Sequence, residues 1–135
     1  MKKRVVITGE GSISPLGHNS QSLWENLVKG KSGIDHISSF DTENFSIKIA
    51  GEVKDFDPNN FFEAKEARKL DRFTMFGLIA AEQALQNSNY KSSDAGVIVG
   101  TGVGGMHTLE EEHQKLIKKG QRGVSPFYVP KMIPN

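Results

Sequence analysis

The chain has 135 residues, 36% of them hydrophobic, a net charge of +1 and no cysteine. That length allows one domain with a modest core, and the missing thiol excludes disulfides, zinc–thiolate centres and a cysteine nucleophile from this stretch. The near-neutral charge excludes the global basic field of a nucleic-acid coat protein, so any preference for anions must be local.

After the basic start only Val5, Val6 and Ile7 are apolar before polar residues and glycines return. That run is too short for a signal-peptide core, and nothing approaches a membrane span, so a cytoplasmic location is expected. Residues 4–8 predict a first strand, apolar enough to be central and covered on both faces. Gly9, Gly11, Ser12, Ser14, Pro15 and Gly17 form a loop, and Asn19 or Ser20 caps a helix whose apolar face is Leu23, Trp24, Leu27 and Val28. Gly30 is placed to end it. Residues 32–40 are irregular. Ile47 and Ile49 alternate with Ser46, Lys48 and Ala50, which predicts a half-exposed strand running to about Val53. Asp57-Pro58-Asn59-Asn60 is a turn or a helix start.

A long helix is predicted from about Glu63 or Leu70 to Gln86, with Phe73, Phe76, Ile79, Ala80, Ala84 and Leu85 on its apolar side. Gly77 inside it costs ~1 kcal/mol against alanine, which close packing against another element would explain. Val97, Ile98 and Val99 read as a short buried strand. Gly100, Gly102, Gly104 and Gly105 make a tight turn, and Met106, Leu109, His113, Leu116 and Ile117 mark one face of a helix that stops at Gly120. Strand alternating with helix predicts a layered α/β fold. The tail from Val124 carries three prolines among large apolar residues. It predicts an extended segment, not a helix, lying on its own domain or on a surface supplied from elsewhere.

Gly100, Gly102 and Gly105 match the dinucleotide spacing G-x-G-x-x-G, but the context opposes that reading. No acidic ribose anchor follows, and Glu110, Glu111 and Glu112 would repel a pyrophosphate. The plainer reading is a turn that lets strand and helix pack. The histidines His18, His36, His107 and His113 are scattered, without H-E-x-x-H spacing, so no metal site and no catalytic residue is assigned. His107 and Glu111 share a face as a solvated pair, and Glu110 to His113 read as charged helix exterior. Lys65, Arg68, Lys69 and Arg72 recur at i, i+3, i+4, i+7, and Lys115, Lys118, Lys119 and Arg122 repeat that spacing. These are two cationic ridges suited to an anionic partner, or two ordinary solvated faces.

Several motifs together resemble the β-ketoacyl-acyl-carrier-protein synthases, the elongating condensing enzymes, closest to type II. They are Arg4-Val-Val-Ile-Thr-Gly-x-Gly-x-x-Ser-Pro-x-Gly17, Lys31-Ser-Gly-Ile34, Phe40-Asp-Thr42, Ala50-Gly-x-Val53, Lys65-Glu-Ala-Arg-Lys69, Asp71-Arg-Phe73, Gly100-Thr-Gly-Val-Gly-Gly105 and Val124-Ser-Pro-Phe-Tyr-Val-Pro130. The resemblance implies an α/β thiolase-like layered fold, with this chain forming the N-terminal part of the first βαβαβ half. Residues 1–135 would be an incomplete N-terminal segment of the synthase N-terminal domain, and the whole would be a homodimer.

The family's reaction is a decarboxylating Claisen condensation. A cysteine takes an acyl chain from the carrier protein, and two histidines assist decarboxylation of malonyl-carrier protein. The resemblance places all three beyond Asn135, so it implies a chain inactive alone. It assigns Lys65, Arg68, Lys69 and Arg122 to docking of the acidic acyl carrier protein. Gly123 stands where some relatives carry another basic residue. It assigns Val103 to the acyl pocket, and Tyr128 to the dimer interface bordering the partner's acyl pocket. It implies no resident cofactor, since the substrate rides on the carrier's phosphopantetheine, and neither nucleic acid nor membrane as a partner. Two alternatives are a non-catalytic carrier-binding module and a polyketide chain-length-factor relative. Glu10, His18 and His107 depart from the family's usual smaller or apolar residues.

Overall fold

The computed structural model describes residues 3–133. In chain order the elements are α1 (Ser20–Val28), β1 (Asp35–His36), β2 (Ile49–Ala50), α2 (Ala64–Ala67), α3 (Arg72–Ser88), α4 (Met106–Lys119) and α5 (Tyr128–Met132), with 3-10 turns at Pro58–Asn60 and Gln121–Gly123. They fall into two compact units, Met1–Phe56 with Ile79–Lys91, and Asp57–Leu78 with Ser92–Asn135.

In the first unit the glycine-rich loop lies along α3. A Cβ on Gly9 would run into the carbonyl oxygen of Ala84, and one on Gly11 into that of Ala80. Only glycine allows so close an approach. Side-chain amides complete the seam: Ser12 N–H donates to Gln83 Oε1 (3.1 Å), Gln83 Nε2 to the His18 carbonyl (2.7 Å) and Asn87 Nδ2 to the Glu10 carbonyl (2.9 Å). Helix α1 starts as its cap predicts, with Asn19 Oδ1 accepting from Ser22 N–H at 2.8 Å. His18 is held from two sides. Its Nε2 meets the Lys54 carbonyl at 2.9 Å and its ring packs edge-on to Phe56, 6.2 Å between centroids.

Strands β1 and β2 pair antiparallel, Asp35 with Ala50 and His36 with Ile49. The strand expected to run to Val53 is thus two residues long, and its partner comes from a stretch expected to be irregular. Beside this ladder Glu52 gathers donors: Ser38 N–H and Oγ–H, both at 2.8 Å, and Ser39 N–H at 3.0 Å. The Ser39 hydroxyl first, then the Ser38 hydroxyl and the two N–H groups, hold its carboxyl down to about 2, against an ordinary value of 4.5. A lowered folded-state value means the contribution to stability is present above the ordinary value and lost as pH falls toward 2. The amides of Ser38 and Ser39 are therefore expected to lose hydrogen-exchange protection as the pH drops from about 4.5 to about 2. In Glu52→Gln that acid step should vanish from the profile.

In the second unit Asp57 Oδ1 caps the first 3-10 turn through Asn59 N–H (2.9 Å). Of the two starts expected for the long helix, the later one, near Leu70, agrees with α3 (Arg72–Ser88), and the stretch after Glu63 is a separate helix, α2. After α2 the chain tightens into i→i+3 bonds, Lys69 N–H to the Glu66 carbonyl (2.8 Å) and Leu70 N–H to the Ala67 carbonyl (3.2 Å), before α3 begins at Arg72. Helix α4 ends at Gly120, φ 69°. The tail is not extended throughout, because residues 128–132 form α5. Pro130 is only the third residue of that helix, where an N–H would have no intrahelical acceptor, so proline costs no bond.

Three expectations about packing are corrected. Residues 4–8 and 97–99 join no ladder among the described residues, and Val5 (94%) and Ile98 (98%) stand exposed instead of buried. A strand needs a partner for its backbone groups, and apolar sequence alone does not supply one. A Cβ on Gly77 would meet nothing within 4 Å, so no packing among the described residues calls for glycine there. Finally, α1 leaves Trp24, Leu27 and Val28 exposed, and the buried apolar side chains among the described residues are Met75 and Ile79 of α3.

Candidate functional site

The second unit carries every residue assigned by resemblance to docking or to the acyl pocket. Its centre is a residue with no assigned role. Asp71 is buried, and its Oδ2 accepts from Thr108 Oγ1–H (2.5 Å) and Thr108 N–H (3.2 Å), while Oδ1 accepts from Phe73 N–H (3.3 Å). Asp71 immediately precedes α3, and Thr108 is the third residue of α4. One carboxylate therefore serves the N-terminal ends of two helices, where unpaired N–H groups and partial positive charge favour an anion.

The glycine turn packs on the same carboxylate. Gly105 N–H donates to the Met132 carbonyl at the end of α5 (3.0 Å), and Gly104 N–H to Thr101 Oγ1 (3.1 Å). Gly104 has φ 72°, and a Cβ on Gly105 would sit 2.8 Å from Asp71 Oδ2. The anion place at the head of α4 thus holds the protein's own carboxylate. With Gly104, Gly105 and Thr108 N–H all engaged, a pyrophosphate cradle has no donors left at these positions. Gly100 and Gly102 are different, since added Cβ atoms there would face open space. Val103 is exposed in this turn, and half-buried Tyr128 opens α5 with its N–H on the Ser125 carbonyl (3.0 Å).

Helix α4 turns an unexpected face inward. It buries Thr108 and Glu112 and half-buries Lys115, while Met106, Leu116 and Ile117 of the expected apolar face stay exposed. Glu112, 5% exposed, is not charged helix exterior. Its Oε1 accepts from Lys115 Nζ and its Oε2 from Ser125 N–H, both at 2.6 Å. The Lys115 ammonium and then the Ser125 N–H hold the Glu112 carboxyl below the usual range, and Glu112 in turn raises Lys115. His107 and Glu111 form the expected solvated pair, 3.2 Å apart.

Lys65, Arg68, Lys69 and Arg122 are all exposed. The first three do not share one helix face. Lys65 lies in α2, Arg68 caps its end, and Lys69 stands in the turn before α3. Lys69 Nζ lies 5.8 Å from the centroid of the Phe127 ring, and the Arg72 guanidinium 5.0 Å from that of Phe76. In the second ridge Lys115 is tied to Glu112, Gly120 ends the helix, and Arg122 sits in the following 3-10 turn. A Cβ on Gly123 would come within 2.6 Å of Lys119 Cβ, so this backbone admits no side chain there.

Asp71 and Glu112 were missed. An aspartate just before a helix start is a cap signal, and Glu112 with Lys115 is an i, i+3 pair, but neither pattern foretells burial. Among the described residues no group of three His, Asp or Glu side chains is placed to hold a metal, and no helix is long and apolar enough to cross a membrane.

Comparison with solved structures gives the class. The ishigamide ketosynthase/chain length factor matches with TM-score 0.79 and 27% identity, over 95% of this chain and 33% of that one. A type II polyketide ketosynthase bound to the hexaketide, in complex with its acyl-carrier protein, matches with TM-score 0.75 and 25% identity, over 98% of this chain and 36% of that one. The fold is the α/β, thiolase-like fold of ketosynthases. The chain belongs to the β-ketoacyl synthase family, matching the family's N-terminal domain over residues 2–135. The 3-oxoacyl-[acyl-carrier-protein] synthase 2 of Staphylococcus aureus (strain N315) is 46% identical over 98% of this chain and 33% of its own length. The chain thus spans about a third of the curated relatives it matches.

Proposed function

We propose that this chain is the N-terminal part of a cytoplasmic, homodimeric 3-oxoacyl-[acyl-carrier-protein] synthase that extends fatty acids by decarboxylating Claisen condensation. The observation that carries the proposal is 46% identity to a curated synthase of that name across nearly the whole chain. The polyketide reading draws on the ketosynthase/chain length factor match, but at 27% identity it is the weaker of the two.

Within such an enzyme the part of these residues is recognition. Lys65, Arg68, Lys69 and Arg122 are exposed cations that would meet the acidic face of an acyl carrier protein, steering encounter and setting its orientation. Val103 and Tyr128 would border the acyl chain, and Tyr128 the second protomer. The chain has no cysteine, so the nucleophile that holds the acyl group must lie outside these residues, and the chain alone is expected to be inactive. The test is a titration of holo-acyl carrier protein against the chain by isothermal calorimetry. Binding is expected that weakens steeply as salt rises from about 0.05 to about 0.5 M. Absence of binding at low salt would defeat the docking role.

A further inference from the structure

Lys69 differs from Lys65, Arg68 and Arg122 in having a ring beneath its charge. A lysine ammonium within about 6 Å of an aromatic centroid is drawn to the negative face of the ring, and Lys69 Nζ is 5.8 Å from that of Phe127. The ring stands on a fixed backbone. Phe127 caps α5; its N–H donates to Ser125 Oγ (3.1 Å), and its carbonyl accepts from Lys131 N–H (2.9 Å). Ser125 is in turn held through its own N–H by buried Glu112 (2.6 Å). Phe127 is 46% exposed, so the ring lies at the surface beside the charge it supports.

A free lysine spreads its ammonium over many rotamers, and a partner must collect it from all of them. One held over a ring keeps its outward N–H groups directed at solvent. We propose that Phe127 is a positioning residue that holds Lys69 Nζ in place for a carboxylate of the docking carrier protein. This rests on the docking reading of Lys69. The juxtaposition also joins two stretches, 65–69 and 124–130, that sequence spacing leaves apart.

The test is a double-mutant cycle on the full chain, with Lys69→Ala and Phe127→Leu and purified holo-acyl carrier protein as the probe. Lys69→Ala should weaken binding. Phe127→Leu should weaken it about two- to five-fold when Lys69 is present and not at all when Lys69 is alanine. Phe127→Tyr, which keeps the ring, should restore it. A second readout needs no partner: the ε-CH2 protons of Lys69 should be ring-shifted upfield in NMR spectra of the chain and of Phe127→Tyr, but not of Phe127→Leu. If Lys69→Ala weakens binding while Phe127→Leu does not, or if Phe127→Leu acts equally in both backgrounds, the positioning role is wrong and docking through Lys69 stands. If Lys69→Ala changes nothing, the docking reading of Lys69 falls and this inference with it.

Discussion

Asp71→Ala should cost the second unit about 3 kcal/mol, among the larger losses a single substitution can cause. The alanine leaves three donors behind: Thr108 Oγ–H, Thr108 N–H and Phe73 N–H. An exposed cap lost to alanine costs roughly 1 kcal/mol. Here the site is closed over, with Asp71 and Thr108 both buried, so donors left unpaired add the desolvation penalty of about 1–3 kcal/mol. Asp71→Asn should lose less, about 1–2 kcal/mol, because its amide oxygen still caps one helix while the charge that favours both N-termini is gone. Thr108→Val should fall near Asp71→Asn, and Thr108→Val combined with Asp71→Ala should cost less than the sum, since the two act through the same bonds. Urea midpoints, with hydrogen exchange of the first turns of α3 and α4, give the measurement. An Asp71→Ala chain with an unchanged midpoint would remove the carboxylate from the centre of this unit.

How much of this was legible follows from how local each signal is. The Asn19 cap and the Gly120 stop lie within a few residues of what they control, and α1 and α4 begin and end close to where those residues indicate. The helix in the tail is hidden by its three prolines, which count as breakers by composition, whereas position decides, and Pro130 falls in a first turn. The runs at 4–8 and 97–99 read as strands by composition, yet pairing is non-local and neither finds it among the described residues. For α4 the apolar periodicity is real, but it names a face without naming what meets it. Inside the unit Asp71 and Ser125 bind the polar face through Thr108 and Glu112, which leaves Leu116 and Ile117 outward. Charge spacing failed in the same way. Lys115 belonged to a ridge by i, i+3, i+4, i+7, and a glutamate one turn back removed it. Lys65, Arg68, Lys69 and Arg122 survive as exposed cations because no acid among the described residues is bonded to them.

That distinction makes charge reversal decisive. If Lys65 and Lys69 dock a carrier protein as proposed, Lys65→Glu with Lys69→Glu should weaken that binding by about 30-fold at low salt. Each reversal replaces an attraction worth roughly 0.2–1 kcal/mol at an exposed site by a repulsion of similar size, so the pair amounts to about 2 kcal/mol. The net charge moves from +1 to −3, four units for two residues, so a global charge effect must be separated from a local one. Lys29→Glu with Lys31→Glu makes the same change on exposed residues of the first unit and should alter binding by no more than about three-fold. At about 1 M salt, where screening falls to ~3 Å, the two double variants and the unaltered chain should converge. If the Lys29 and Lys31 pair proved as damaging as the Lys65 and Lys69 pair, the carrier protein would be reading net charge alone. The exposed basic residues of the second unit would then lose their claim to be a docking face.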